Sequence, residues 1–389
     1  MRIGIDARFY GSIGKGLGRY TQKLIENLEV VSAQGGRDFS WAKHNQYFIF
    51  LRRGNWEEYQ PHNPNFTKVL ADIPWYSVRE QIALPKILSK YNLDLVHFPH
   101  FNVPLRWKGK FVVTIHDLIL FHYPTRRAST LSPIIYLLKK NAYHRVIKNA
   151  IEKSERIISV SEHTKRDILK HFRVGPEKVC VTYEAADIRQ NAISTMPAEI
   201  LSKYGIIKPY ALYVGNAYPH KNLERLVLAF KHVLQSHPHL KLVLVGKEDY
   251  FYKRLKIFVK KNETRNIIFT DFVSDEELSM IYREALLYVF PSLYEGFGLP
   301  PLEAMAKNIP VACSDIGCLR EILGNAAYYF NPKGVSEMAD AIKKVATENE
   351  LRDILIRNGG IRARAFSWHD LAKNTLQIYK ETIKHTRLT

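Results

Sequence analysis

The chain has 3 cysteines in 389 residues, Cys180, Cys313 and Cys318, and no two of them form a C-x-x-C pair. That spacing gives no disulfide framework, and free thiols in a reducing cytoplasm are the expectation. No His/Cys spacing suggests zinc. No apolar run reaches the roughly 18 residues of a membrane span. The opening residues, "MRIGIDARF", enter a strand directly, so a signal peptide is not expected. Acidic residues are the scarce charge: 38 Asp+Glu face 57 Lys+Arg, a net of +19. Such an excess is a statement about partners and not about fold. Residues 1–187 hold 29 basic against 17 acidic residues, and the remainder 28 against 21. The excess peaks between Arg126 and Lys178, with 13 basic residues against 5 acidic. This region includes "LSPIIYLLKKNAYHRVIKNAIEKS", a helix expected to turn Ile134, Ile135, Leu138, Ala142 and Val146 to one side. A solvated face, an anionic membrane surface and a nucleic-acid site compete to explain it. The last has no RRM, KH, zinc-finger or helix-turn-helix signature behind it, so no nucleic-acid partner is expected.

The apolar fraction, 46%, is that of a globular protein, and the length allows two domains. The first half alternates short apolar runs with helical segments: "RIGIDARF", "QYFIFLRR", "DLVHFP", "KFVVTIHD", "RIISVS" and "KVCVTYEA" read as strands. The pattern then restarts with "YALYVGN", "LKLVLVG", "NIIFTDFV", "LYVFPS", "PVACSD" and "AAYYFNP", again separated by helices. Runs of this kind argue for mostly parallel sheets covered on both faces. The expectation is an α/β chain of two doubly wound Rossmann-like domains, 1–187 and 188–370, joined near Asp187–Ser202. A last helix, 371–389, is a candidate to cross back to the first domain. Two such domains facing a central cleft would bind ligands at the C-terminal ends of their strands.

"GSIGKGLGRY", Gly11–Tyr20, joins the first strand to a helix with Leu17, Tyr20, Leu24, Ile25 and Leu28 on one face. A Walker loop needs Lys-Ser/Thr after its last glycine, and Gly16 is followed by Leu17. The dinucleotide fingerprint fails too, because the third glycine position holds Arg19. Glycines at a helix start still suit an anion, since backbone N–H groups approach closely and the helix dipole favours negative charge. A flexible glycine turn is the competing reading. "FPSLYEGFGLPPLEAMA", Phe290–Ala306, carries more. It places Glu295 and Glu303 eight positions apart across a glycine loop and a helix start. Ionised carboxylates accept only, so two of them in one cleft suit the hydroxyls of a sugar. The plainer alternative is surface glutamates around a turn.

In that context the stretch resembles the signature of the retaining glycosyltransferases of family 4, with the GT-B fold. "GLGRYTQKLIENL", "IISVSEHTKRDIL", "YALYVGNAYPHKNLERLVLAF" and "FSWHDLAKNTLQIYK" extend the resemblance over nearly the whole chain. "PHKNL" is most similar to mannosyltransferase-type members acting on cell-surface polysaccharides. The resemblance implies that Lys221 binds the donor diphosphate, and that Glu295 holds donor-sugar hydroxyls with Gly296, Phe297, Gly298 and Leu299 around it. It implies that Glu303 binds the ribose and that His116, in "TIHD", contacts the reaction centre. The Gly16–Gly18 loop would lie over the diphosphate, with Phe272 and Val273 by the base. His116, Lys221 and Glu295 are thus the catalytic candidates. Asn216 stands where many members carry arginine, which leaves the second phosphate cation open among His220, Arg225 and Lys247. With no D-x-D pair, neither a metal nor another cofactor is expected.

The resemblance further implies retention at the anomeric carbon, by same-face substitution. The partners implied are a nucleotide-sugar donor, GDP-mannose as best guess, and a saccharide or lipid-linked acceptor. A cytoplasmic protein, peripheral on the inner face of the plasma membrane, fits the basic first half. The alternatives are a glucan synthase or sugar-nucleotide epimerase of the same fold, or a non-catalytic basic module for membrane or nucleic acid. The oligomeric state is not readable from these motifs.

Overall fold

The computed structural model describes residues 1–34, 37–123, 133–187 and 196–385. In chain order the elements are β1 (Arg2–Asp6), α1 (Lys15–Gln34), β2 (Gln46–Leu51), β3 (Phe66–Leu70), α2 (Val78–Leu88), β4 (Leu95–Phe98), β5 (Phe111–Ile115), α3 (Ile119–His122), α4 (Pro133–Lys153), β6 (Arg156–Ser159), α5 (Glu162–His171) and β7 (Val179–Val181). They continue with α6 (Pro197–Lys203), β8 (Tyr210–Val214), α7 (Leu223–Ser236), β9 (Lys241–Val245), α8 (Tyr250–Lys261), β10 (Ile267–Asp271), α9 (Asp275–Arg283), β11 (Leu287–Phe290), α10 (Leu299–Ala306), β12 (Val311–Ser314), α11 (Gly317–Leu323), β13 (Ala327–Phe330), α12 (Val335–Thr347), α13 (Asn349–Arg364) and α14 (Trp368–His385). The chain divides into two compact units. One comprises Met1–Leu118, Leu131–Glu184 and Ser367–Thr389, the other Ile119–Thr130 and Ala185–Phe366. Much of the joint expected at 187–202 lies outside the described residues, as do the first residues of the expected basic helix.

The first unit is built on a seven-stranded sheet in the order β3-β2-β1-β4-β5-β6-β7, and every pair is parallel. "LVHF" and "FVVTI" are wholly buried because helices cover both faces, which is why these strands read as continuous apolar runs. Tyr20, Leu24, Ile25 and Leu28 are the buried stripe of α1, with Leu17 half-buried at its start. β3 is a strand the apolar runs did not reveal. It is a sheet edge whose "FTKVL" buries only Phe66 and Val69. In α4 the expected apolar side is not the packed one. Ile135, Leu138 and Ala142 are exposed, and Ile147, Ala150 and Ile151 are buried. Among the described side chains of α4, the buried ones lie in its C-terminal half.

Two buried polar groups tie this unit together. Arg8 has no solvent exposure and pairs with Asp6 at 2.7 Å and Glu80 at 2.5 Å. His97, on β4, shares hydrogen bonds with Thr114 Oγ1 at 2.8 Å and with the Tyr379 hydroxyl of α14 at 2.6 Å. Burial, helped by the charge of His116, pushes His97 down to about 3, so it serves as a neutral bridge. α14 also packs along α1, which fixes the last helix within the first unit.

The second unit has a six-stranded parallel sheet in the order β10-β9-β8-β11-β12-β13. Serine and aspartate open two of its helices, α9 and α8: Ser274 Oγ accepts from Glu277 N, and Asp249 Oδ1 accepts from Phe251 N and Tyr252 N. Each sheet reverses its strand order once, between β1 and β4 in the first and between β8 and β11 in the second. At such reversals the loops leaving neighbouring strands diverge, and ligands bind in the gap. Among the described residues no helix is long and apolar enough to cross a membrane.

Candidate active site

The loops after β8 and β11 flank the reversal of the second sheet. β8 ends at Val214, and the loop runs from Gly215 through a one-turn helix, Pro219–Lys221, to Asn222 at the head of α7. Asn222 has φ +63 and spans the gap: its Nδ2 donates to the carbonyls of Pro291 at 3.0 Å and Pro332 at 2.7 Å. Leu293 N donates to the His220 carbonyl at 2.8 Å. This lacing brings two distant residues together. Lys221 Nζ donates to Glu295 Oε1 at 2.6 Å, with the two side chains only 13% and 11% exposed. The ammonium also stands 5.4 Å from the centre of the Phe290 ring.

The glycine loop after Glu295 is shaped by contacts that only glycine allows. Gly298 has φ +99, and a Cβ there would lie 2.7 Å from Leu319 Cδ2. It heads α10, whose Pro300 and Pro301 occupy the first turn and whose Leu299 begins the helix. Phe297 is buried against Phe366, ring centres 5.6 Å apart, and its carbonyl accepts from the Cys318 thiol. Glu303 sits half-buried on α10. Phe272 is exposed and Val273 buried in the loop after β10, two strands away from β8. Asn216 folds back on its own loop, its Oδ1 accepting from Tyr218 N at 3.2 Å and its carbonyl from the Tyr213 hydroxyl at 2.8 Å.

Of the three substitutes for the absent arginine, His220 drops out as a cation. Burial and then the neighbouring Lys221 charge push it down to about 4, so it is neutral at pH 7. Arg225 donates to Asn222 Oδ1 at 2.9 Å and lines a cavity of about 470 Å³ with Tyr218, Phe251 and Arg254. Lys247 is exposed just beyond β9. Ser292, three residues before Glu295, buries a hydroxyl with no partner among the described residues, and no motif marks it beforehand.

In the first unit, the loop after β1 is pinned by Asn55 Nδ2, which donates to the carbonyls of Ala7, Arg8 and Tyr10. Its two candidate glycines differ. A Cβ on Gly18 would meet the Gly11 carbonyl oxygen at 2.0 Å, whereas one on Gly16 would meet nothing within 4 Å. Gly18 is therefore required by packing, and Gly16 leaves its backbone open. His116 follows β5 and uses both ring nitrogens: Nδ1 lies 3.0 Å from Glu184 Oε1, and Nε2 2.9 Å from the Pro99 carbonyl. Both partners only accept, so the ring that satisfies both is the imidazolium. Burial would lower its pKa, but the hydrogen bond and charge of Glu184, with Pro99 and Asp117, hold it above the ordinary value. In this state His116 offers a positive charge and no ring lone pair. Glu184, 68 residues away, is a partner that spacing could not reveal.

These features describe an α/β protein that holds a cation and a carboxylate at a glycine-lined strand reversal, an arrangement suited to a phosphorylated sugar. Comparison with known proteins agrees. Residues 42–190 match the model "Glycosyltransferase Family 4", and residues 200–362 match "Glycosyl transferases group 1". O-antigen chain mannosyltransferase B of Escherichia coli is 26% identical over 390 residues, covering 94% of this chain and 96% of that one. O-antigen chain mannosyltransferase RfbU of Salmonella typhimurium is 29% identical over 302 residues, 78% of each chain. Among solved structures, sucrose-phosphate synthase from Thermosynechococcus elongatus superposes with a TM-score of 0.76 at 20% identity, over 99% of this chain and 100% of that one. WaaG, a glycosyltransferase involved in lipopolysaccharide biosynthesis, gives 0.71 at 16% identity, over 97% and 99%. The chain belongs to glycosyltransferase family 4, with the GT-B fold and a mannosyltransferase-like type.

Proposed function

We propose that this glycosyltransferase moves a hexose, mannose from GDP-mannose in the best reading, to a saccharide or lipid-linked acceptor during assembly of an O-antigen-type polysaccharide. The Lys221–Glu295 pair, held at 2.6 Å across the strand reversal, is the observation that carries it. The names of the two mannosyltransferase relatives support the sugar and the polymer. In this reading Lys221 turns from Glu295 to the donor diphosphate and offsets the charge that develops as the glycosidic bond breaks. Glu295 then accepts from the donor-sugar hydroxyls, and Glu303 from the ribose. In the second unit the N-terminal backbone of α10 adds N–H groups and a helix dipole, and in the first Gly16 offers an open backbone to an anion. With lysine and helix ends supplying the electrostatics, no metal ion is required.

Neither glutamate is assigned to the anomeric carbon, so a covalent double displacement has no nucleophile in this scheme. The C1–O bond to the leaving phosphate breaks as the acceptor oxygen bonds C1 on the same face. The acceptor proton passes to a phosphate oxygen. The reading is tested by incubating the protein with GDP-mannose and a mannoside acceptor in EDTA and reading the product by NMR. An α-linked mannoside is expected. A β-linked product, a covalent glycosyl-enzyme or a strict metal requirement would each overturn its part of the scheme. For a lipid-linked acceptor, the first turns of α4 expose Ile135, Leu137 and Leu138 beside Lys139 and Lys140. Co-sedimentation with anionic but not neutral liposomes is expected, and none with either would remove the membrane from the account.

A further inference from the structure

The strand reversal of the first unit carries a second group of residues that the donor chemistry leaves unused. Tyr76 stands just before α2, 60% exposed, in a left-handed backbone at φ +58. A non-glycine residue seldom adopts that conformation unless its surroundings impose it. Here they do. Tyr76 N–H donates to Glu80 Oε2 at 2.9 Å, and Glu80 is held in turn by Arg8 and by Asn102 Nδ2 at 2.7 Å. A buried ion pair is weak evidence for stability by itself. This one fixes the angle at which a large aromatic ring leaves the fold.

The ring has company. Its centre lies 5.9 Å from His100 at 80°, 6.3 Å from Phe9 and 6.4 Å from Phe101. Phe101 lies 4.9 Å from Tyr143 at 90°, and His100 packs 3.9 Å from Phe101. Phe9 follows β1 and His100 follows β4, the two strands between which the order reverses. His116 joins the same set of loops, bonded to the Pro99 carbonyl next to His100. His100 Nδ1 is buried with no partner among the described residues. A rigid, half-sunk aromatic surface with a few polar groups at its rim suits a ligand that is apolar on one face and polar at its edge. A pyranose is such a ligand, with C–H groups on its face and hydroxyls around it.

We propose that Tyr76, backed by Phe101 and edged by His100, is the platform on which a pyranose of the acceptor stacks in the first unit. The proposal rests on the glycosyltransferase reading above and adds the place and the chemistry of the acceptor. Its test is direct binding. Saturation-transfer NMR of methyl α-mannopyranoside, α-galactopyranoside and α-glucopyranoside is run on the full chain carrying Glu295→Ala, so that the sugar carboxylate of the second unit does not contribute. Tyr76→Gly removes the ring and suits the left-handed backbone, so the fold is kept, and an unchanged melting temperature checks this. Tyr76→Phe keeps the ring. At least one pyranoside is expected to give a signal that falls fivefold or more with Tyr76→Gly and stays within twofold with Tyr76→Phe. No signal from any pyranoside, or equal signals with and without the ring, overturns the platform. Melting shifts with GDP, UDP and ADP on the unmodified chain report separately on the donor reading. Sugar binding through Tyr76 with no nucleotide shift would refute the donor assignment and leave the platform standing.

Discussion

Lys221→Met is the perturbation with the most to say, because two consequences of different size follow from one contact. The Lys221 and Glu295 charges are 2.6 Å apart and nearly buried. At an effective dielectric of about 20 they attract by about 6 kcal/mol, most of which desolvation offsets. Methionine keeps the length of the chain and removes the charge. Glu295 is then left, at 8% exposure, without its cation. A net cost of about 2 kcal/mol follows for a pair that keeps some solvent, a fall of about 4–8 °C in Tm for a unit of this size. Glu295→Gln added to Lys221→Met recovers part of it, since the unpaired charge is gone. Turnover behaves differently. Losing a group that stabilises developing charge costs about 10²–10³ in rate, and the second substitution restores none of it. The assay is donor turnover together with thermal unfolding for both single variants and the double. A Lys221→Met protein that keeps more than a tenth of wild-type turnover would refute the leaving-group role.

Three further outcomes are expected. Gly16→Ala leaves Tm within about 1 °C but weakens nucleotide binding, whereas Gly18→Ala, whose methyl would collide with backbone, lowers stability by several kcal/mol or prevents folding, on the order of other overpacking changes. Equal behaviour of the two would remove the distinction. His116 has a raised folded pKa, so its stabilisation is complete below the unfolded value near 6.5 and is lost as pH rises through the folded value. His116→Gln should therefore differ from wild type in urea midpoint at acid pH more than at alkaline pH, while His97 and His220, both lowered, erode stability on the opposite side as pH falls below about 6.5. Glu80→Ala strands the fully buried Arg8 beside Asp6 alone and should cost about 3–5 kcal/mol in chemical denaturation. A cost under about 1 kcal/mol would mean that water replaces the carboxylate.

The doubly wound architecture was legible because parallel strands covered on both faces read as uninterrupted apolar runs. β3 escaped because an edge strand is only partly covered: "FTKVL" buries Phe66 and Val69 and leaves Thr67 and Leu70 exposed, so no continuous apolar run marks it. The position of α4's packed side escaped for a related reason. Periodicity says which residues share a face, not which part of a helix meets a neighbour, and here Ile147, Ala150 and Ile151 do so in place of Ile135 and Leu138. At the site, the spacing to Glu303 drew attention to Glu295 and the family resemblance to Lys221, 74 residues away, and the sheet reversal explains why they meet. The partners that set their chemistry were not visible. Glu184 reaches His116, Asn222 laces two loops, and Glu80 fixes the backbone of Tyr76, all through contacts between residues distant in sequence. His220 looked like a spare cation in "YPHKN", and only its burial shows that it is uncharged.

The most direct test of a nucleotide-sugar site is a thermal-shift panel of GDP, UDP and ADP with their common sugars, run in EDTA. A ligand that binds only the folded protein stabilises it by about 2.7 kcal/mol at one hundred times its Kd. A selective rise with one nucleotide class, guanine first, is expected, and Lys221→Met should lose it. A rise that appears only when a divalent metal is restored would contradict the electrostatic role given to Lys221, and no rise with any nucleotide would contradict the donor site itself.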